Sequence, residues 1–181
     1  MAKRQSPKSI VLCFVIFAVC AAAAFAQVPS PNSVLGFTPG DDRKVADWQQ
    51  IVDYFRKLDG ASSRVKVEEI GRSTNGNPMI VAFISDAGNI KKLDKYRQIN
   101  ARLADPRTIS SEEELSKLVK EGKTIVAISC SIHSTEIVAS QMSMNLAYEL
   151  ATAKDPATKE ILDNTILLLI PSPNPDGIQI V

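Results

Sequence analysis

Residues 123–141 read "KTIVAISCSIHSTEIVASQ". The first half is β-branched and almost wholly apolar, the composition of a strand buried on both faces. The second half has the apolar spacing of a helix, and the join carries His133 and Glu136. A matching run, "NTILLLI" at 164–170, follows the helix. Buried strand, helix, buried strand is the pattern of a βαβ unit, whose two strands lie parallel. If the two strands are near each other and parallel, the loops beyond them, 131–136 and "PSPNPDG" at 171–177, reach one rim, where open α/β sheets place their sites.

Upstream, "RVKVEEIGRS" and "NPMIVAFIS" read as two strands joined by "TNGN". Asn-Gly takes positive φ readily and signals a hairpin turn. Ahead of them, apolar residues Val45, Trp48, Ile51, Val52, Phe55 and Leu58 fall on one face of a helix over 41–58, opened by Asp41 and Asp42 and ended by Gly60. Between hairpin and βαβ unit, 86–122 is more polar and reads as two helices. One covers about 90–103. The other starts at Ser111, with Glu114 in capping-box spacing, and stops at Gly122. Asp155 and Pro156 suit the cap and first turn of a short helix after the one expected over 136–153. The fold class is therefore α/β, with a mixed, centrally parallel sheet flanked by helices and the hairpin near one edge.

The N-terminus has a different composition. Lys3, Arg4 and Lys8 precede 17 uncharged residues, 10–26, ending in "AFA" before Gln27. This is the layout of a cleaved secretory signal peptide, with cleavage after Ala26. Residues 27–40, rich in Pro, Ser and Gly, read as an extended lead-in. Without the leader, 18 basic side chains face 20 acidic ones, with no positive block that would suit nucleic acid. The expected product is secreted or periplasmic, free of the membrane after cleavage. Cys130 is the one cysteine outside the leader, so no internal disulfide forms. Strand alternation puts Ser129, Ser131 and His133 on one face and Cys130 on the other, which makes Cys130 a small buried apolar residue rather than a ligand.

His133 and Glu136 admit two readings. Imidazole nitrogen and carboxylate oxygen are zinc ligands, and a His and a Glu three residues apart in a turn of helix reach one ion. Alternatively, His133 is a hydrogen-bonded turn residue and Glu136 a first-turn acid favoured by the helix dipole. "PSPNPDG" by itself is turn chemistry.

In combination, "SIHSTEIVASQ" after one apolar strand, "NPDG" after the next, and the "EIGRSTNGNP" hairpin resemble the zinc carboxypeptidase family of carboxypeptidase A type, from about residue 41 onward. The segment 86–122 looks like a helical insertion of a bacterial secreted branch. The resemblance implies hydrolysis of the C-terminal peptide bond of a peptide or protein, with one Zn2+ held by His133, Glu136 and a third ligand, a histidine. It gives Asn174, Pro175, Asp176 and Gly177 a site-shaping role. His133 is the only histidine in the sequence. No carboxylate here matches the family's general base, so no catalytic residue is assigned. Residues 41–181 are then expected to be the N-terminal part of a catalytic domain, inactive alone. A zinc amidohydrolase or deacylase of the same fold, or a non-catalytic exported binding module, are the other readings.

Overall fold

The computed structural model describes residues 27–181. The expected signal peptide, with Cys13 and Cys20, lies outside the described residues. Four strands form one sheet in the order β1-β2-β4-β3: β1 Val65–Arg72, β2 Pro78–Ile84, β3 Thr124–Ser129 and β4 Thr165–Ile170. The hairpin β1–β2 is antiparallel, β4 joins β2 antiparallel, and β3 runs parallel to β4 in the register Thr124↔Thr165 to Ser129↔Ile170. The sheet is mixed, as expected, but its parallel pair lies at the edge opposite the hairpin.

The lead-in is not wholly extended. Ser30 and Pro31 start a single helical turn, α1 (Pro31–Leu35), which Gly36 ends at φ 76°. Val28, Val34, Leu35 and Phe37 pack on the main core. The next helix, α2 (Trp48–Ala61), begins later than the two aspartates suggest. Asp47 and Gln50 form a full capping box, with Gln50 N donating to Asp47 Oδ1 at 2.8 Å and Asp47 N to Gln50 Oε1 at 3.0 Å. Asp41 instead accepts from Thr38 N in a preceding turn. A reciprocal cap satisfies two otherwise orphaned amides, so it outcompetes the acidic pair. Val45 consequently falls outside the helix and is exposed. The helix ends one residue beyond Gly60, with Ser62 N donating to Leu58 O.

The polar middle segment holds α3 (Ala87–Ile90), α4 (Leu93–Ala104), a 3-10 turn (Pro106–Thr108) and α5 (Glu112–Glu121). Ser111 Oγ caps Glu114 N as expected. The Glu114 carboxylate, however, turns to Ser110 and Arg102 rather than back to Ser111. Two helices connect β3 to β4: α6 (Ile137–Thr152) and α7 (Pro156–Asn164), the latter capped by Asp155.

Side-chain parity allots the two faces of the sheet. Ile80, Ala82 and Ile84 of β2 and Leu167 and Leu169 of β4 join α2 and α6 in the main core. Phe83, Ile166 and Leu168 point the other way, into a smaller cluster with Leu93, Tyr96 and Ile99 of α4. Tyr54 is buried within the main core, and burial pushes its phenol far above the ordinary range. Trp48 is also buried, and its indole N–H donates to Pro78 O at 2.9 Å, tying α2 to the start of β2. β4 is buried as expected. β3 is not: Ile125 and Val126 are 38% and 41% exposed, because β3 is the edge strand and pairs on one side only among the described residues.

If Asp47 sets the start of α2, Asp47→Ala lowers stability by about 1 kcal/mol, and Asp41→Ala lowers it by less, in urea denaturation. Glu114 gives a pH test. Hydrogen bonds from Ser110 N and Oγ, and then Arg102, pull its carboxyl down to about 2. A depressed folded pKa adds stability that is full above the ordinary value of 4.5 and lost as pH falls toward 2. The stability gap between the parent and Glu114→Gln should therefore narrow over that window.

Candidate metal centre

β3 ends at Ser129, and Cys130 N still donates to Ile170 O at 3.0 Å, continuing the pairing with β4. The chain then breaks from strand geometry at Ser131, whose φ is +49°. A left-handed conformation costs a non-glycine residue about 1–2 kcal/mol. The break cancels the expected alternation: Ser131 is buried, while His133 beyond it is exposed. Cys130 is buried as expected, and burial raises its thiol pKa.

His133 and Glu136 face each other across one turn. His133 Nδ1 lies 2.8 Å from Glu136 Oε1, and His133 N donates to Glu136 Oε2 at 3.0 Å. The hydrogen bond from His133 holds the Glu136 carboxyl below its usual range. Glu136 is the N-cap of α6 rather than a first-turn residue, and its side chain caps no amide of that helix. The side chains are 76% and 45% exposed, so a solute reaches both donors directly. Among the described residues, no group of three or more His, Cys, Asp or Glu converges on one point.

The second loop arrives from β4. "PSPNPDG" is only partly a loop: Pro175 opens a short helix, α8 (Pro175–Ile180), and Asn174 is its N-cap. Asn-Pro serves a turn and a helix start equally well, which is why the sequence reading stops at the turn. Asn174 Oδ1 accepts from Gly177 N at 3.0 Å, and Asn174 Nδ2 donates to Ile132 O at 2.9 Å. A Cβ on residue 177 would stand 2.5 Å from Asn174 Nδ2, so glycine there keeps the Asn174 side chain in place. Asp176 reaches the hairpin turn. It accepts from Ser73 Oγ, from Asn77 Nδ2 at 2.8 Å and from Asn75 N at 3.1 Å. These bonds, Ser73 foremost, hold its carboxyl below the usual range.

The hairpin turn, the β4 loop and the His133 loop are therefore one connected polar assembly. Three serines within it carry no sequence signal. Ser131 Oγ donates to Glu136 O and accepts from Ser140 N. Ser140 Oγ donates to Pro171 O, and Ser172 Oγ to Ser131 O.

Among solved structures, the chain is similar to thrombin-activatable fibrinolysis inhibitor (TM-score 0.56, 13% identity, 87% of this chain and 31% of that one). It is also similar to carboxypeptidase A from Helicoverpa armigera (TM-score 0.52, 16% identity, 81% and 31%). The likeness is one of fold, and the chain spans about a third of the length of each. No curated protein matches it.

Substitution at Asp176 tests the assembly. Asp176→Ala should speed hydrogen exchange at the Asn75 amide, read by NMR, and leave the core amides of β4 unchanged. Acid should act alike. The Asp176 bonds are full above the ordinary carboxylate pKa of 3.8 and fail as pH drops through the lowered value.

The zinc carboxypeptidase family profile matches residues 51–181, more than half of the sequence, and the chain belongs to that family.

Proposed function

We propose that this chain carries part of the metal site of an exported zinc metallocarboxypeptidase acting on the C-terminus of a peptide or protein. His133 and Glu136 supply two zinc ligands. The observation that carries this reading is the 2.8 Å approach of His133 Nδ1 to Glu136 Oε1 at the carboxyl end of a parallel strand. Two donors on a tetrahedral zinc, each about 2.1 Å from the ion, sit roughly 3.4 Å apart. A small outward shift of either exposed side chain meets that spacing, so the pair fits the metal. Zinc bound there would activate water and polarise an amide carbonyl.

The chain's own residues supply placement. The Glu136 carboxylate is ionised at neutral pH, as a ligand must be. The Asn174 amide holds the backbone just before His133, and Asp176 holds the hairpin turn beside the loop. Two protein ligands grip zinc weakly, and the third ligand implied by the family resemblance is not among the described residues.

Purified chain should therefore bind zinc more weakly than micromolar and show no peptidase activity. Competition titration with a chromogenic chelator should show that this weak binding disappears in His133→Ala and in Glu136→Ala. Zinc binding that His133→Ala leaves unchanged would remove the metal reading.

A further inference from the structure

We propose that Ser131 is a positioning residue for the His133–Glu136 pair, its hydroxyl closing the loop 131–136 into one shape. The metal part of its test rests on the zinc reading above; the geometric part does not. Ser131 is 4% exposed and sits at φ +49°. A glycine takes that φ without steric strain, so the serine side chain must be accounted for by what it bonds. The hydroxyl donates to Glu136 O at the far end of the loop and accepts from Ser140 N at 2.8 Å in the first turn of α6. Its single proton and a lone pair are thus both committed within the loop and its helix.

The same residue is held from β4. Ser172 Oγ donates to Ser131 O at 2.8 Å and accepts from Asn174 N at 3.0 Å, and Asn174 Nδ2 donates to the next carbonyl, Ile132 O. Ser140 Oγ donates to Pro171 O at 2.9 Å. Ser140 and Ser172 are both 0% exposed. The two backbone positions before His133 and the carbonyl of Glu136 are therefore fixed, while the two side chains that face each other remain in solvent. Ser131 touches neither donor atom. It acts through the backbone, setting the distance between the Cα atoms that carry the donors.

The single histidine makes the test direct, provided no histidine is added to the chain. Nitrogen-labelled parent, Ser131→Ala and Ser131→Gly are compared by the long-range proton–nitrogen spectrum of the imidazole and by zinc competition. In the parent, an Nδ1–H donating to Glu136 fixes one tautomer. Both variants should lose that pattern and bind zinc about tenfold more weakly, the usual scale for removing a group that orients a ligand. Ser131→Gly relieves the strained φ, so it should tolerate urea at least as well as Ser131→Ala. A purely structural role would make affinity follow stability. If Ser131→Gly keeps the parent's imidazole spectrum and zinc affinity, the proposal is overturned. If the parent binds zinc no better than His133→Ala, the zinc reading fails by itself, and the imidazole spectra alone decide the role of Ser131.

Discussion

The parallel pairing of β3 with β4 is the constraint on which the rest of the arrangement depends. Six aligned residue pairs, extended by the bond from Cys130 N to Ile170 O, bring the carboxyl ends of both strands side by side. Only because the strands run the same way do the His133 loop and the Asn174 loop emerge at one rim. An antiparallel pair would send them to opposite ends of the sheet. The pairing is possible because α6 and α7 together form a crossover long enough to return the chain. The buried serines then convert proximity into contact. Ser172 and Ser140 bond across the gap between the strand ends, in a place where an unpaired hydroxyl would be costly.

The packing around the sheet supports that rim from below. Ile178 of α8 is buried in the main core, so the short helix that begins at Asn174 is anchored by an apolar side chain as well as by its cap. Met144 and Ala147 of α6 enter the same core. Both helices whose N-termini flank the rim are therefore seated on one apolar body, with α2 beneath them. The second cluster, on the opposite face, attaches α4 to Phe83, Ile166 and Leu168.

The hairpin, the two later strands and most helices are legible in the sequence because each rests on a local pattern: Asn-Gly between two strand-like runs, Asp-Pro at a cap, Gly122 at a stop. The misread features have both local and non-local causes. Asp41 and Asp42 are as good a helix start as Asp47 until the reciprocal partner Gln50 is weighed. β3 has the composition of a buried strand, but burial also requires a neighbour on each side, which the residues of the strand do not encode. His133 and Glu136 stand out by their types and by the apolar strand before them. Ser131, Ser140 and Ser172 do not, since serine is common in turns and its hydroxyl has no periodicity. The left-handed turn at Ser131 is hidden for the same reason: glycine or asparagine would have announced it.

The order of this rim is unevenly distributed, and the unevenness has a physical logic. Backbone groups at Ser131, Ile132 and Glu136 are bonded to partners that are largely buried, whereas the His133 imidazole meets the Glu136 carboxylate, which also accepts from His133 N, in water. A donor and an acceptor bonded to one another at the surface give little net stability, because solvent competes for both. The pair is correspondingly easy to part, and an ion entering between them would displace one weak contact rather than a buried network. The stiff component is the loop, whose shape decides how far apart the donors can stand. Affinity at such a site is therefore governed by the number of donors and by the loop's resistance to spreading. On the proposed metal reading, His133 and Glu136 would be the two donors and Ser131 the closure that resists the spreading.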